Sequence, residues 1–412
     1  MSAAPIDQRA QHEAETAAQS ARASSIDVVR LSTDELLAPI EPERYLLPGL
    51  VPTEAYTLIA GALSSYKSTL LDYLCLWKAT GFDLLNLDPT KADCDIGPTL
   101  LIFYEDAQRR VMNRRRRIVQ HGYNVIRQVH GAKTATQFVE SAAKNLGTIA
   151  LTGRAGSAIV YRSLNGQILP NDKLIEEVIG AARTMASSGV MIAIDPLRLA
   201  IVGSQNNDDG ADVVVHTLNR MAMMQPDSGL IVSAHTTKAD AKDPTIGYAG
   251  AAYATSGSAL YSQHARSNFL ITRLKPDEAR TLADAADLER QPLARLTHGR
   301  LSHGAERSAA LLQMKDGVLV PISPRKKLGA ADKMMAFGPV IARAFNRLLA
   351  SNIKASANAL MADAEVRAHG SQRDLKELLK LLEQNGHIAF KGKTVNRSGC
   401  LTAKGRAAFA SN

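Results

Sequence analysis

The stretch "LIAGALSSYKSTLLDYL", Leu58 to Leu74, governs how the rest of the chain is read. An apolar run ends at Gly61, a short polar loop follows, and a helical pattern opens at Lys67. This is the layout of a phosphate-binding loop, G-x-x-x-x-G-K-[ST], with one departure: Tyr66 stands where the pattern has its second glycine. Such a loop works because successive backbone N–H groups and the helix N-terminus cradle phosphates, while lysine reaches the β/γ oxygens and Ser or Thr holds Mg²⁺. Lys67 and Ser68 are both present, so what is missing is backbone permissiveness at one position, tolerable if the φ of Tyr66 is negative. The nucleotide-binding set is then Gly61, Ser64, Ser65, Tyr66, Lys67, Ser68 and Thr69. Short motifs also arise by accident, and the other strand ends have to decide.

Four strand-like runs each finish in polar residues: Thr57 to Gly61, Thr99 to Asp106, Val190 to Leu197 and Gly229 to Lys238. Helical patterns fill the gaps at Lys67 to Thr80, Ala107 to His121, Asp172 to Ser187 and Asp212 to Met224. Buried strands alternating with crossover helices predict an α/β fold with a mostly parallel twisted sheet, and a ligand crevice at the carboxyl ends of its strands. All four polar endings would meet there.

Glu105 can orient and deprotonate an attacking water, or merely cap the helix that follows. Asp195 is placed to hold Mg²⁺ through water, or to cap a helix. His235 can sense a γ-phosphate, or be a hydrogen-bonded histidine at a strand end.

Met1 to Glu41 contains no aromatic residue and reads as a flexible arm. The core is expected over 42–322, a low-complexity joint over 323–332, and a second domain over 333–412. In that last domain three helical patterns, Lys333 to Leu349, Ser356 to Val366 and Ser371 to Asn385, precede a basic β-hairpin, which predicts a winged helix. Its helix Ser371 to Asn385 would present Gln372, Arg373 and Lys376 to a major groove. The bland alternative is a small helical bundle for protein contact. Charge is unevenly placed: Ser323 to Asn412 holds 16 Lys and Arg against 6 Asp and Glu, a net of +10, so the rest of the +9 chain sums to −1. That is the footprint of a nucleic-acid-binding module or of a lysine-rich soluble tail.

The three cysteines, Cys75, Cys94 and Cys400, have no C-x-x-C spacing and suggest neither zinc nor disulfides. No run approaches the roughly 18 apolar residues of a membrane span, and the N-terminus lacks a secretory layout, so a cytoplasmic protein without a membrane partner is expected.

Together the motifs resemble the RecA-like ATPases of the hexameric replicative helicase group, and within it the plasmid RepA helicase family. The resemblance runs from Tyr45 to Ile322 through "YLLPGLVPTEAYTLIAG", the phosphate loop, "YEDAQRRVMNRRRRI", "IDPLRLA", "AHTTK", "SGSALYSQHARSNFLITRL", "LTHGRLSHG" and "DGVLVPI". It implies an ATPase ring, a hexamer in that group, that uses ATP and Mg²⁺ and moves along single-stranded DNA. By motif match Lys67 and Ser68 take the phosphate and magnesium roles, Glu105 the catalytic base, Asp195 the Walker B role and His235 the sensor. Arg266 matches an arginine presented to the neighbouring subunit's nucleotide, and Arg300 falls where the plasmid helicases carry a lysine. Either cation would stabilise the transferring phosphoryl group in trans, or serve in surface salt bridges.

In RecA-like rings the loop after the histidine strand lines the channel. Here Lys238 and Lys242 would meet phosphates, and Tyr248 or Tyr253 would stack bases; an idle surface loop is the alternative. Thr152 to Gly166, with Arg154 and Arg162, is a second candidate. Arg114 to Arg117 cover every face of one helical turn and are expected on a solvated or inter-subunit face. The N-terminal arm and basic C-terminal domain depart from the compact plasmid helicases. They keep open a nucleotide-gated initiator or regulator that grips duplex DNA, or a recombinase-like filament.

Overall fold

A computed structural model of the chain describes residues 30–40, 42–201, 208–236, 260–282, 290–301, 309–323, 330–367, 372–391 and 398–409. Strands β1 (Tyr45–Leu47) and β2 (Val51–Pro52) form a small antiparallel pair ahead of β3 (Tyr56–Gly61). Then come β4 (Thr99–Phe103), β5 (Leu146–Ala150), the short hairpin β6 (Val160–Arg162) and β7 (Ile168–Pro170), β8 (Met191–Asp195) and β9 (Gly229–His235). The series ends with β10 (Ser267–Arg273), β11 (Leu293–Leu301), β12 (Ala310–Lys315), β13 (Val318–Ile322), β14 (Ile388–Lys391) and β15 (Ser398–Leu401). Nine of these make one sheet in the order β13-β12-β11-β10-β3-β9-β8-β4-β5.

The chain divides into two compact units. The first comprises 1–63, 67–270 and 297–308, and its centre is the parallel run β3, β9, β8, β4 and β5. β3, β4 and β8 are buried along their whole length, which is why they read as unbroken apolar runs rather than alternating ones. The helix Lys67–Thr80 is buried on nearly every side, whereas Gln108–His130 buries one stripe: Val111, Arg115, Ile118, Gly122 and Ile126. Asn171 caps the helix Asp172–Met185 by accepting from the Leu174 N–H at 3.3 Å. This sheet fits a RecA-like α/β core.

The second unit comprises 64–66, 271–296 and 309–412. It holds the antiparallel pairing of β11 with β12 and of β12 with β13. It also holds a group of helices with its own apolar core around Ile341, Phe345, Leu360, Val366, Leu375 and Leu382. The helices Ala330–Ala350, Ala357–Ala362, Ala364–Arg367 and Gln372–Gln384 precede the β14/β15 hairpin. The second arm of that hairpin ends at Leu401, and Ala403–Phe409 is helical rather than part of the hairpin, as the apolar spacing of "AAF" after Lys404 allows.

Of the N-terminal arm, residues 30–40 are described: Thr33–Leu37 is a short exposed helix closed by a capping box between Ser32 and Glu35. Cys75, Cys94 and Cys400 are free thiols. Among the described residues no helix is long and apolar enough to cross a membrane, and no three His, Cys, Asp or Glu side chains cluster as metal ligands.

Candidate nucleotide site at the strand ends

The parallel register brings the polar strand endings to one edge. Gly61 lies opposite His235 across β3 and β9, Ile194 opposite Val232 across β8 and β9, and Phe103 opposite Asp195 across β4 and β8. Two bonds carry the ladders one residue further: the Tyr104 N–H donates to Asp195 O at 3.0 Å, and the Thr236 N–H donates to Gly61 O at 3.2 Å. Lys67, Glu105, Asp195 and His235 all belong to the first unit.

Lys67 opens its helix with 7 % of its surface exposed. Its ammonium donates to Gly61 O and Ala62 O, both at 2.7 Å, and Nζ stands 3.5 Å from His235 Nδ1. Burial pulls its pKa down to about 8, against the opposing pull of the Asp195 and Glu105 carboxylates. The two loop carbonyls therefore hold a charge that is costly to bury, at the place where phosphate oxygens would relieve it.

Asp195 is buried, and one of its oxygens, Oδ1, accepts from the Ser233 hydroxyl. The peptide bond from Asp195 to Pro196 is cis, and Pro196 rather than Asp195 is the N-cap of the helix Leu197–Ala200. The capping alternative is thus answered by geometry. Glu105 is exposed, two residues beyond the end of β4, and the helix after it has Ala107 as an N-cap with no side-chain bond, so Glu105 does not cap it. Burial lowers the pKa of His235, and Lys67 and Arg198 push the same way while Asp195 opposes them. The ring is held neutral beside the ammonium.

The loop itself corrects one expectation. Tyr66 has φ +73° and Ser64 φ +61°, both in the left-handed region that glycine enters freely. Tyr66 keeps the backbone shape of the glycine it replaces instead of avoiding it with a negative φ, at a cost of about 1–2 kcal/mol. The surrounding fold imposes that shape, because a strand on one side and a helix on the other fix both ends of the loop. Burial raises the Tyr66 phenol pKa, with Arg273 opposing. Ser65 is 1 % exposed, and its hydroxyl has no hydrogen-bond partner among the described residues, an orphaned buried donor of the kind a phosphate oxygen satisfies. Ser68 is half-buried and Thr69 is buried.

A second correction concerns the arginine run. Arg114 and Arg115 do not face solvent: both guanidinium groups pair with the buried carboxylate of Asp72, on the helix that Lys67 opens, while Arg116 and Arg117 are exposed. An acidic residue inside the apolar pattern "TLLDYLCLW" is the sequence signal for this partner. Ser233 and Arg198 also escape a reading by motif; Ser233 is the one hydroxyl inside the apolar strand "LIVSAH".

Arg266 is exposed, and its backbone N–H donates to Tyr56 O at 3.1 Å. Arg300 lies in β11, and its side chain is outside the described residues, as is that of Arg373. Lys376 is exposed on the helix Gln372–Gln384. Lys238, Lys242, Tyr248 and Tyr253 lie outside the described residues. The second DNA candidate, Thr152 to Gly166, is described: Arg154, Ser157 and Tyr161 line a groove of about 510 Å³ with Asn171 and Leu199.

A strand, loop and helix around a buried lysine, facing an aspartate and a histidine on neighbouring parallel strands, make the chain a P-loop ATPase. The AAA_25 family, described as an AAA domain, matches residues 21–241, more than half of the sequence, and the chain belongs to it. Among solved structures it resembles one described as the ATPase domain of a helicase, with a TM-score of 0.42 and 11 % identity, over 66 % of this chain and 85 % of that one. No curated protein matches the sequence.

Proposed function

We propose that the protein is an ATP-hydrolysing translocase or replicative helicase of a plasmid, phage or other mobile element, similar to the RepA helicases, acting as a hexameric ring on single-stranded DNA. The observation that carries the catalytic part is the meeting of Lys67, Asp195 and His235 at one sheet edge, with Glu105 on the adjoining turn.

On this reading the Lys67 ammonium transfers from the Gly61 and Ala62 carbonyls to β/γ-phosphate oxygens. Ser65 and the N–H groups of Ser64 to Thr69 hold the remaining phosphate oxygens. Ser68 and Asp195 are the hard oxygen donors suited to Mg²⁺, which supplies charge neutralisation across the β- and γ-phosphates. Glu105 takes the proton of the attacking water, as its exposed position allows. Neutral His235 reports the γ-phosphate through its contact with Lys67. Arg266 and Arg300 serve the nucleotide of a neighbouring subunit, and Lys238, Lys242, Tyr248 and Tyr253 line the DNA path. Residues 1–41 are an arm, 42–322 the ATPase core and 323–332 a linker. Residues 333–412 form a winged-helix-like domain that offers Arg373 and Lys376 to duplex DNA. The cytoplasm is its place of action.

One observation favours a second reading. The helices from Ala330 to Gln384 and the β14/β15 hairpin share a core of their own in the most basic part of the chain, as suits a nucleotide-gated initiator whose affinity lies in that domain.

Steady-state ATP hydrolysis with and without single-stranded DNA separates the two. A severalfold rise in turnover with DNA supports the motor. Slow, DNA-indifferent turnover with tight duplex binding transfers the reading to the initiator.

A further inference from the structure

Glu105 sits exposed on a turn, yet a general base has to be held at a fixed distance from the phosphate it serves. The structure contains a route that fixes it. Asp72, on the helix that begins with Lys67, is 2 % exposed and takes one guanidinium on each carboxylate oxygen: Arg114 Nε on Oδ2, and Arg115 Nε on Oδ1 at 2.7 Å.

The two arginines then part company. Arg115 Nη1 turns to β5, donating to Thr148 Oγ1 and to Gly147 O, which anchors the buried pair to the sheet. Arg114 Nη1 turns to the strand-end turn, 2.8 Å from Oδ2 of Asp106, the residue next to Glu105. The carbonyl of Asp106 accepts in addition from Thr152 Oγ1 at 2.8 Å, and the Tyr104 N–H on the other side of Glu105 is tied to Asp195 O. Glu105 is thus bracketed by two fastened neighbours.

We propose that Arg114 and Asp106 are a positioning pair that sets Glu105 against the phosphate-binding helix through Asp72. This rests on the reading of Glu105 as the base. The ion pair is a bond between groups at the edge of the site, not a contact with the reacting atoms. Asp106 is 32 % exposed at its side chain, so it can be altered without opening the core.

The test is steady-state ATP hydrolysis by Asp106→Asn, Asp106→Glu and Arg114→Lys in the full chain. Glu105→Gln is run alongside. Gly229→Ala, at the far end of β9 from His235, is the control for lost stability alone. The pair predicts that Asp106→Asn and Arg114→Lys each lower kcat about 10–100-fold with KM for ATP within about threefold. Asp106→Glu, which keeps the charge, recovers part of the loss. The control lowers the melting temperature without this kcat-only signature.

If Glu105→Gln abolishes turnover while Asp106→Asn and Arg114→Lys keep wild-type kcat, the positioning pair is wrong and the base assignment stands. If Glu105→Gln itself turns over normally, the base assignment is wrong and the pair falls with it.

Discussion

Lys67 Nζ lies 3.5 Å from His235 Nδ1, joining the phosphate loop to the end of the strand beside it. Burial disfavours the charged form of both groups, and Lys67 adds to the effect on His235. Nucleotide phosphates would supply the anion that Lys67 lacks and raise its pKa from about 8. Binding above that pH therefore takes up a proton. The dissociation constant for ATP should rise about tenfold per pH unit as pH climbs past the Lys67 pKa, and calorimetry in buffers of different ionisation enthalpy should register the uptake. A flat profile from about pH 7 to about pH 9.5 would mean that Lys67 stays charged without nucleotide.

The left-handed Tyr66 makes a prediction about sign. At ordinary helix or strand positions alanine is more stable than glycine by about 0.5–1 kcal/mol. At φ +73° the order should invert, with Tyr66→Gly more stable than Tyr66→Ala by about 1 kcal/mol, since both lose the ring and differ only in backbone freedom. Urea denaturation of the two variants measures it.

Asp72→Ala removes the carboxylate between two largely buried guanidinium groups and leaves them uncompensated. It should cost about 3–5 kcal/mol of unfolding free energy, as loss of one partner from a buried ion pair does, whatever happens to catalysis. A loss below about 1 kcal/mol would be the value of an exposed pair and would place the arginines in solvent.

Gly229→Ala should destabilise by about 1–3 kcal/mol, because a Cβ there would stand 2.8 Å from the Pro52 carbonyl oxygen, an atom of the backbone that cannot turn aside.

What the sequence makes legible depends on range. The helix Lys67–Thr80 is readable to the residue, and β3, β8 and β9 nearly so, because buried parallel strands and a phosphate loop leave continuous local patterns. β5 leaves no such trace: Leu146–Ala150 contains a glycine, is half-exposed at the sheet's edge and carries no apolar alternation. The partner of Arg114 and Arg115 is hidden because Asp72 lies 42 and 43 residues away in sequence. A run of four arginines looks the same whether it faces water or a buried carboxylate. The φ of Tyr66 departs from its sequence expectation for a related reason: residue type states what a backbone prefers, while the fixed ends of the loop decide what it adopts.

The most direct test of Glu105 as the base at this strand end is single-turnover hydrolysis of bound ATP by Glu105→Gln. Nucleotide should still bind, since Lys67, Ser68 and the loop are untouched, and the chemical step should be lost. Hydrolysis at the wild-type rate from the bound state would contradict the assignment, and would move the base away from the turn where Glu105 stands.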